Sequence, residues 1–482
     1  MAQTLKQSPD LDLALCSPAC LARAMTAQQP SGRFMAPPHV GAMDTLATAI
    51  IKGRTGATAT AIIEAPPRHG KTELISKWLP VWFLIRWPEK RLIMTTATHK
   101  LARKLGRNAR DLFREHAPKF GLALSESQSA ADEWETSAGG GMLAAGVGGP
   151  IMGRGADLLI LDDPIRNGQD ALSETVRDNQ WDWWQSTAST RLEPNGKTIV
   201  ISTRWHEDDI VGRILKAAAA DGTGEDDAGS EVARLTMPAI AGDRDQVGRL
   251  PGAALWPERF PIQRLERIKA KKSRFWWNSL FQQNPGKWGD SRWEDYLGPS
   301  IWAARWPDSF EASIVAVDPS LGLDDRKGDF SAIVFVGLSG GKLWVDASIE
   351  RRPVTRIAQD AVKMALQHRA TAMSLEANGF QQVLAPAFHQ AATDAGAALS
   401  VVLLHNRIKK ELRIDSLEPM LAAGQFVFRD SPGCRLLVDQ LGEFPRGDHD
   451  DGPDALEMAV RGLNERARQI AAHIEDVETV EA

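Results

Sequence analysis

Residues 65–72, Ala-Pro-Pro-Arg-His-Gly-Lys-Thr, follow an apolar strand pattern and precede a helix-forming run. A site for a nucleoside triphosphate needs backbone N–H groups curled around the phosphates, a lysine that reaches them, and a hydroxyl ligand for Mg²⁺ at a helix N-terminus. Ala65 replaces the first glycine of the usual phosphate-loop pattern, so an ordinary helix start is the alternative. The candidate nucleotide-binding residues here are Arg68, His69, Gly70, Lys71, Thr72 and Glu73.

Residues 158–163 form a second pattern, an apolar strand that ends in two carboxylates. Asp162 and Asp163 have the form that holds Mg²⁺ and activates water in ATPases with a phosphate loop. A strand-terminating turn is the alternative, because Asp and the following Pro164 are favoured in turns. The phosphate loop upstream favours the functional interpretation.

Two further residues are candidates for action on the nucleotide. Thr203 lies in the polar Ser-Thr-Arg end of a later strand, where a hydroxyl can sense the γ-phosphate, and a plain polar loop is the alternative. Arg68 lies inside the phosphate loop and is a candidate for stabilising the charge that develops during hydrolysis. An ordinary surface arginine is its alternative.

The back half of the chain has acidic residues in an order that suits a two-metal nuclease. Such sites bring carboxylates together from distant positions so that paired Mg²⁺ or Mn²⁺ ions contact the attacking and leaving oxygens. Asp318 and Glu376 each end an apolar strand, and residues 450–457 place several acids, Asp451 and Asp454 among them, at the entrance of the last helix. Which of the acids at 450–457 binds metal stays open. Each acid taken alone has a helix cap or a turn as its alternative. Their order along the chain favours the metal site.

Two α/β domains are needed to position these motifs. Repeated strand, turn and helix patterns between about residues 40 and 215 indicate a parallel sheet with helices on both faces. From about residue 312, a strand, a hairpin turning at Gly340-Gly341, a helix and another strand predict a mixed sheet. The predicted fold class is therefore α/β, an N-terminal P-loop NTPase followed by a C-terminal RNase H-like mixed α/β nuclease.

The predicted divisions follow changes in composition. The segment before the first domain mixes Pro, Ser, Gln and Ala, and the segment between the two domains is rich in Pro, Gly, Trp and Arg. The last residues of the sequence are acidic. We expect an N-terminal arm at 1–39, the ATPase domain at 40–240, a connector at 241–310, the nuclease domain at 311–465 and an acidic tail at 466–482. A helix end followed by an acidic surface loop is expected at 217–230.

Composition excludes several protein classes. At 482 residues the chain is long enough for two or three domains. A net charge of -5 excludes nucleic-acid binding through overall basicity, although it allows local basic stripes. Three cysteines without a CxxC pair indicate neither a disulfide scaffold nor a zinc site. No window approaches the about 18 apolar residues of a membrane span, and no secretory start is present, so we expect a soluble, non-secreted protein.

Two basic groups are candidates for contact with DNA phosphates, although a solvated helix face explains either one equally well. The first comprises Lys100, Arg103, Lys104, Arg107, Arg110 and Arg114, and the second comprises Lys409, Lys410 and Arg413. The chain has 16 Trp against a single Tyr, Tyr296. Some Trp side chains could stack on bases, and core packing is the alternative.

Four motifs in order resemble the large terminase subunits of tailed phages, to which proteins of prophages and gene transfer agents are similar. They are residues 66–72, 153–164, 203–209 and 255–260, and the resemblance runs from about residue 40 to 465. It implies that Lys71 and Thr72 bind ATP and Mg²⁺, that Asp162 binds the metal, and that Asp163 stands where many relatives carry the catalytic Glu. The implied nuclease triad is Asp318, Glu376 and Asp454, with Asp451 as a candidate fourth ligand.

The resemblance also implies an ATP-driven motor that moves double-stranded DNA into a viral prohead and cuts concatemeric DNA. Mg²⁺ would serve the ATPase, and Mg²⁺ or Mn²⁺ the nuclease. The implied partners are double-stranded DNA, the portal protein, the small terminase subunit and further copies of this chain in a ring of five. The implied location of the protein is the host cytoplasm and, transiently, the portal vertex of the prohead, but not the mature virion. Two other functions stay open: an RNase H-like transposase or recombinase with a regulatory ATPase, and an assembly protein that clamps DNA without catalysis.

Overall fold

The computed structural model describes most of the chain as two compact units. The described residues are 11–29, 33–54, 59–151, 153–220, 232–286, 293–319, 330–376, 385–447 and 449–480. The first unit comprises residues 1–269 and 275–288, and the second comprises residues 270–274 and 289–482. Within the described ranges, no helix combines the length and the apolar character needed to cross a bilayer.

The first unit contains an eight-stranded sheet in the order β3-β4-β5-β2-β6-β7-β1-β8. The six strands from β5 to β8 in that order run parallel, and β4 is antiparallel to both β3 and β5. The strands are β1 Thr60–Glu64, β2 Arg91–Thr96, β3 Leu124–Ser129, β4 Glu133–Thr136, β5 Gly141–Gly146, β6 Ala156–Asp162, β7 Leu192–Ser202 and β8 Val232–Thr236. The predicted α/β class with a largely parallel sheet is confirmed for this unit.

Helices cover both faces of this sheet because each central strand is apolar on both sides. In β1, Ala61 and Ile63 face one hydrophobic core and Ile62 faces the other, all fully buried. The helices are α1 Leu11–Ala14, α2 Pro18–Thr26, α3 Pro38–Ile51, α4 Leu79–Arg86, α5 His99–His116, α6 Gly168–Leu172, α7 Glu174–Trp183, α8 Ile210–Ala220, α9 Ile262–Lys269 and α10 Arg274–Leu280. The expected helix end at 217–230 is present, because α8 ends at Ala220, and the expected acidic loop lies outside the described residues.

Part of the segment expected to be an N-terminal arm packs into the first unit instead. Leu21 and Ala22 of α2 are fully buried in its hydrophobic core. The indole of Trp82 donates a hydrogen bond to the carbonyl of Leu15 at 3.0 Å, and Asp44 accepts one from the amide of Ala19 at 2.9 Å. These partners lie far along the chain, so the short local pattern of α2 did not reveal the packing.

Most of the predicted connector at 241–310 also belongs to the first unit. Phe260, Leu265 and Trp277 form a small hydrophobic core of their own with neighbouring residues. The amide of Ala239, just before this segment, donates to the carbonyl of Phe281 at 2.7 Å. The many Pro and Gly residues of this segment indicated a connector, whereas the segment forms a packed subdomain with little regular secondary structure.

The second unit contains a six-stranded mixed sheet in the order β13-β12-β9-β10-β11-β14. Strands β9, β10 and β11 are antiparallel neighbours, whereas β12 runs parallel to β9. The strands are β9 Ala312–Asp318, β10 Ser331–Ser339, β11 Lys342–Glu350, β12 Ala372–Glu376, β13 Ser400–Leu404 and β14 Phe426–Phe428. The predicted mixed sheet is confirmed, and its hairpin turns at Gly340 and Gly341, which have the positive φ angles of 58° and 72° that glycine tolerates.

Alternate residues of β9 face two different hydrophobic cores of the second unit. Ile314 and Ala316 face the core that includes the last helix, and Val315 and Val317 face the opposite core. The helices are α11 Val354–His368, α12 Ala385–Asp394, α13 Lys410–Asp415, α14 Glu418–Ala422, α15 Pro432–Glu443 and α16 Asp451–Val480. Helix α16 continues through the expected acidic tail to Val480.

Candidate active sites

The first site forms where the carboxyl ends of three parallel strands meet. Strand β7 lies between β1 and β6, with Glu64 paired to Ser202 and Asp162 paired to Ile201. The phosphate loop after β1, the acidic pair at the end of β6 and the polar residues after β7 therefore lie at one edge of the sheet. Open α/β sheets bind their ligands at this edge.

Lys71 is the centre of the first site. Its ammonium group is 4% exposed and donates to the hydroxyl of Thr203 at 2.7 Å and to the carbonyl of Ala65 at 2.5 Å. The carboxylate of Asp163 lies 3.8 Å away. Burial lowers the pKa of Lys71, whereas the charges of Asp163 and Asp162 oppose that shift. A buried cation with few acidic partners suits an anionic ligand.

Asp162 is held by two hydroxyls from the segment that follows the phosphate loop. Ser76 donates to it at 2.6 Å and Thr72 at 3.4 Å. Burial and the neighbouring charge of Asp163 raise the pKa of Asp162 to about 7. A threonine hydroxyl beside a carboxylate is a donor set that Mg²⁺ prefers, so Thr72 and Asp162 fit the expected metal. Ser76 was not among the predicted site residues.

Asp163 and Arg68 both have unusual backbone conformations, with φ angles of 38° and 63°. Asp163 accepts a 2.5 Å hydrogen bond from the amide of Thr203, which directs its side chain toward Lys71. The exposed side chain of Arg68 lines a pocket of about 260 Å³ beside the phosphate loop, together with Lys71 and Asp163. Left-handed conformations of non-glycine residues are uncommon and cluster at functional sites.

The remaining residues of the phosphate loop have different roles in the packing. His69 is fully buried and stacks on Phe260 with ring centroids 4.6 Å apart. Burial lowers the pKa of His69 to about 4, so its ring is neutral at pH 7. Gly70 has a φ angle of 91°, which favours glycine. Glu73 forms an ion pair with Lys77 one helical turn later.

A buried ion-pair network lies behind the first site. Arg204 donates from one nitrogen to Glu64 at 2.7 Å and from another to Asp209 at 2.9 Å, and all three side chains are at most 4% exposed. Glu64 also accepts from Arg234 at 2.8 Å and from Thr236 at 2.5 Å. The network joins the ends of β1, β7 and β8 to the start of α8. It therefore fixes the strand end that presents Thr203.

The second site forms where β9 and β12 end beneath α16. Leu375 pairs with Val317, so Asp318 and Glu376 occupy adjacent positions on parallel strands. Both lie on the α16 face, because Ala316 packs in the α16 core and the hydroxyl of Ser374 donates to the carbonyl of Met458 at 3.3 Å. Asp318 and Glu376, which are far apart in the sequence, therefore lie side by side at one edge of the sheet.

Two basic residues of α13 lie among these acids. The ammonium group of Lys410 lies 3.4 Å from Asp318, 2.8 Å from Asp450 and 3.5 Å from Asp454. Arg413 contacts both oxygens of Asp454, at 2.6 Å and 3.2 Å. Lys410 and Arg413, considered above for binding DNA phosphates, are therefore engaged by carboxylates. Asp451 lies in the first turn of α16 and is half-buried.

The electrostatics of the second site favour a bound cation. Burial raises the pKa of Asp318 to about 7, and Asp454 and Asp451 add to the shift although Lys410 opposes it. Burial opposes the charge of Lys410, but Asp318 and Asp454 outweigh it and raise the pKa of that lysine. The carboxylate donor set suits a hard divalent cation. In the part of the chain that the structure describes, however, no three His, Cys, Asp or Glu side chains are placed to hold a metal ion.

The structure brings the predicted residues together in two groups. The first contains Lys71, Thr72, Asp162, Asp163 and Thr203, and the second contains Asp318 and Asp454, with Glu376 on the neighbouring strand end. Sequence reasoning did not assign a role to Ser76, and it left open which of the acids at 450–457 binds metal. Of these acids, Glu457 accepts from Arg413 at 3.0 Å. The three-residue spacing of Asp454 and Glu457 on one helix face was the available signal.

A protein-family model matches part of the first unit. Residues 62–246 match the family model described as the N-terminal part of the terminase large subunit, T4likevirus-type. The resemblance to large terminase subunits is confirmed over these residues. The matched segment contains both strand-end motifs of the first site and Thr203. No curated protein matches the chain in sequence.

Several solved structures are similar in fold. The large terminase of bacteriophage HK97 is 15% identical, with 90% of this chain and 96% of that chain covered and a TM-score of 0.37. The large terminase of a thermophilic bacteriophage in complex with ADP is 12% identical, with coverages of 85% and 97% and a TM-score of 0.43. The Mn-soaked, inhibitor-bound nuclease domain of human cytomegalovirus terminase is 15% identical, with coverages of 36% and 92% and a TM-score of 0.28.

Proposed function

We propose that this protein hydrolyses ATP at the first site and uses the energy to move double-stranded DNA into a viral prohead. The observation that carries the proposal is the convergence of Lys71, Thr203 and Asp163, with Lys71 buried between the other two. The family match over residues 62–246 supports the same activity.

Each residue of the first site has a part in the proposed hydrolysis. Lys71 and the amides of the phosphate loop bind the phosphates, and Thr203 detects the γ-phosphate through its hydrogen bond to Lys71. Asp163 orients and activates the attacking water, and Arg68 stabilises charge on the phosphoryl group from the adjoining pocket. Thr72 and Asp162 would hold Mg²⁺, which neutralises phosphate charge when it is bound.

We propose that the second site cuts DNA. Asp318, Glu376 and Asp454, with Asp451, would hold Mg²⁺ or Mn²⁺, which supplies Lewis-acid chemistry at the scissile phosphate. The support is the position of the Lys410 ammonium group among three carboxylates, because it marks a place where positive charge is stabilised. Metal binding at this place requires Lys410 to move aside.

The proposed cellular role is the one that the resemblance to large terminase subunits implies. We propose that the protein acts in the host cytoplasm and transiently at the portal vertex of the prohead. Its partners would be the portal protein, the small terminase subunit and further copies in a ring of five, and its nuclease would cut concatemeric DNA. The family match favours neither of the two alternatives, a transposase or recombinase and a non-catalytic clamp.

Two substitutions test whether the sites are separable. We expect Lys71→Ala to abolish ATP turnover while Mn²⁺-dependent DNA nicking continues, because the two residue groups belong to different compact units. We expect Asp318→Asn to do the reverse. Matched controls are Lys119→Ala and Asp394→Asn, which remove an exposed charge from the same unit as each test residue.

The measurements are ATPase assays with DNA and portal present and nicking of supercoiled DNA, with circular dichroism to check the fold. Loss of both activities in either single variant, with its fold intact, would contradict separate sites. Negligible ATPase activity in the unmodified protein would favour the clamp, and cleaved ends joined to a target would favour the transposase.

A further inference from the structure

Residues 255–260, Leu-Trp-Pro-Glu-Arg-Phe, lie against the phosphate loop although they are distant in sequence. Phe260 stacks on His69 at 4.6 Å, and Trp256 lies 5.3 Å from the ring of His39. The carbonyl of His69 contacts the ring of His39 at 3.1 Å. A Cβ atom added to Gly70 would lie 3.9 Å from the indole of Trp256. This motif is therefore packed directly beneath the loop, and the activity proposed above leaves it without a role.

Arg259 is the charged member of this motif, and aromatic rings hold it in place. Its guanidinium lies 5.2 Å from the ring centre of Trp256 and 6.0 Å from that of Phe260. Among the described residues, no carboxylate lies within ion-pair distance of Arg259, and its side chain is exposed. Stacking on aromatic faces orients a guanidinium without using its hydrogen-bond donors. Those donors remain available to a ligand.

Arg259 also lies where two cavities meet. The pocket of about 260 Å³ beside the phosphate loop is lined by the loop itself, Glu73, Asp163 and Arg259. A larger cavity of about 770 Å³ shares Gly70, Glu73 and Arg259 with that pocket and extends to Phe34 and His116. A ligand with its phosphates in the smaller pocket and its uncharged part in the larger cavity must pass Arg259.

The charges around the smaller pocket indicate which part of such a ligand Arg259 would contact. Lys71 is the buried cation of the pocket, but it is close to Asp163 and its charge is partly balanced. A polyphosphate carries several negative charges and is best neutralised by further cations. A guanidinium has paired donors that match the oxygens of a phosphate.

We propose that Arg259 is a nucleotide-binding residue whose guanidinium contacts the phosphate chain of the nucleotide at the junction of the two cavities. The inference rests on the proposed ATP binding at the phosphate loop. It assigns a role to the motif at 255–260, whose Phe260 belongs to the same hydrophobic core as Trp277.

Equilibrium titrations of the full-length protein with ATP, ADP and adenosine test the proposal. We expect Arg259→Ala to weaken ATP and ADP binding by about tenfold or more, since a hydrogen bond to a charged group is lost, and to leave adenosine binding unchanged. Arg259→Lys keeps the charge and should recover part of the affinity. Arg267→Ala is the matched control, because that exposed arginine of α9 donates only to the backbone of its own helix.

The outcomes are distinct. Binding of ATP and ADP by Arg259→Ala and Arg259→Lys within twofold of the unmodified protein would overturn the proposal, as would equal weakening for ATP, ADP and adenosine. If the unmodified protein does not bind ATP, or if Lys71→Ala binds ATP equally well, the proposed function fails and this inference fails with it.

Discussion

Arg204 allows the energetics of the first unit to be tested with one substitution. Its guanidinium joins the carboxylates of Glu64 and Asp209 at 2.7 Å and 2.9 Å, and both acids are at most 1% exposed. In Arg204→Ala, two buried carboxylates lose a shared cation. Buried charges without a partner are strongly destabilising because they have lost their hydration.

The magnitude follows from the donors that remain. Removing one partner of a buried ion pair reduces the free energy of unfolding by about 3–5 kcal/mol. Glu64 keeps Arg234 and Thr236, and Asp209 keeps the amide of Gly212 at 2.9 Å. We therefore expect the lower end of that range, about 3 kcal/mol. A loss of this size is a large fraction of the stability of a typical domain.

Arg166→Ala is the matched control. Arg166 pairs with Asp170 at 2.5 Å but is 55% exposed, so its loss should change stability by about 0–1 kcal/mol. The free energy of unfolding of both variants is measured by urea unfolding of the full chain, with hydrogen exchange of peptides from β1 and β7 as the readout. A loss below about 1 kcal/mol for Arg204→Ala, no larger than that of the control, would refute the argument from buried charge.

Two further predictions concern packing and pH. Gly462→Ala should destabilise the second unit by about 1–3 kcal/mol, because the new Cβ would lie 2.9 Å from Ile314. The Cβ of the control Gly41→Ala would have no atom within 4 Å, so that variant should be neutral or stabilising in thermal unfolding. Equal melting temperatures for the two variants would contradict this. Burial lowers the pKa of both His39 and His69 to about 4, below the 6.5 of the unfolded chain, so the unfolded state takes up protons first. The contribution of each ring to stability should therefore be complete above pH 6.5 and be lost toward pH 4, by about 3 kcal/mol per histidine. Asp162 and Asp318, whose pKa values burial raises to about 7, change stability in the opposite direction over this range, so calorimetry compares the unmodified protein with His69→Gln. A stability difference between these two proteins that does not change with pH would show that the His69 ring is not a cause.

The sequence by itself determined the local motifs. Strand, loop and helix patterns are set by neighbouring residues, so the phosphate loop at Lys71, the acidic strand end at Asp162 and the strand end at Asp318 were predicted where the structure has them. The α/β class followed from the same periodicities. The edge strand β3 and its neighbour β4 were not predicted because their sequences are largely polar.

The tertiary structure decided which distant residues meet. Sheet order places β7 between β1 and β6, which brings Thr203 to Lys71, and no local pattern specifies that order. The position of Lys410 among Asp318 and Asp454, and that of Arg259 beside the phosphate loop, depend in the same way on packing between separate segments. Backbone preferences act over a few residues, whereas burial and charge pairing act between any residues that the fold brings together.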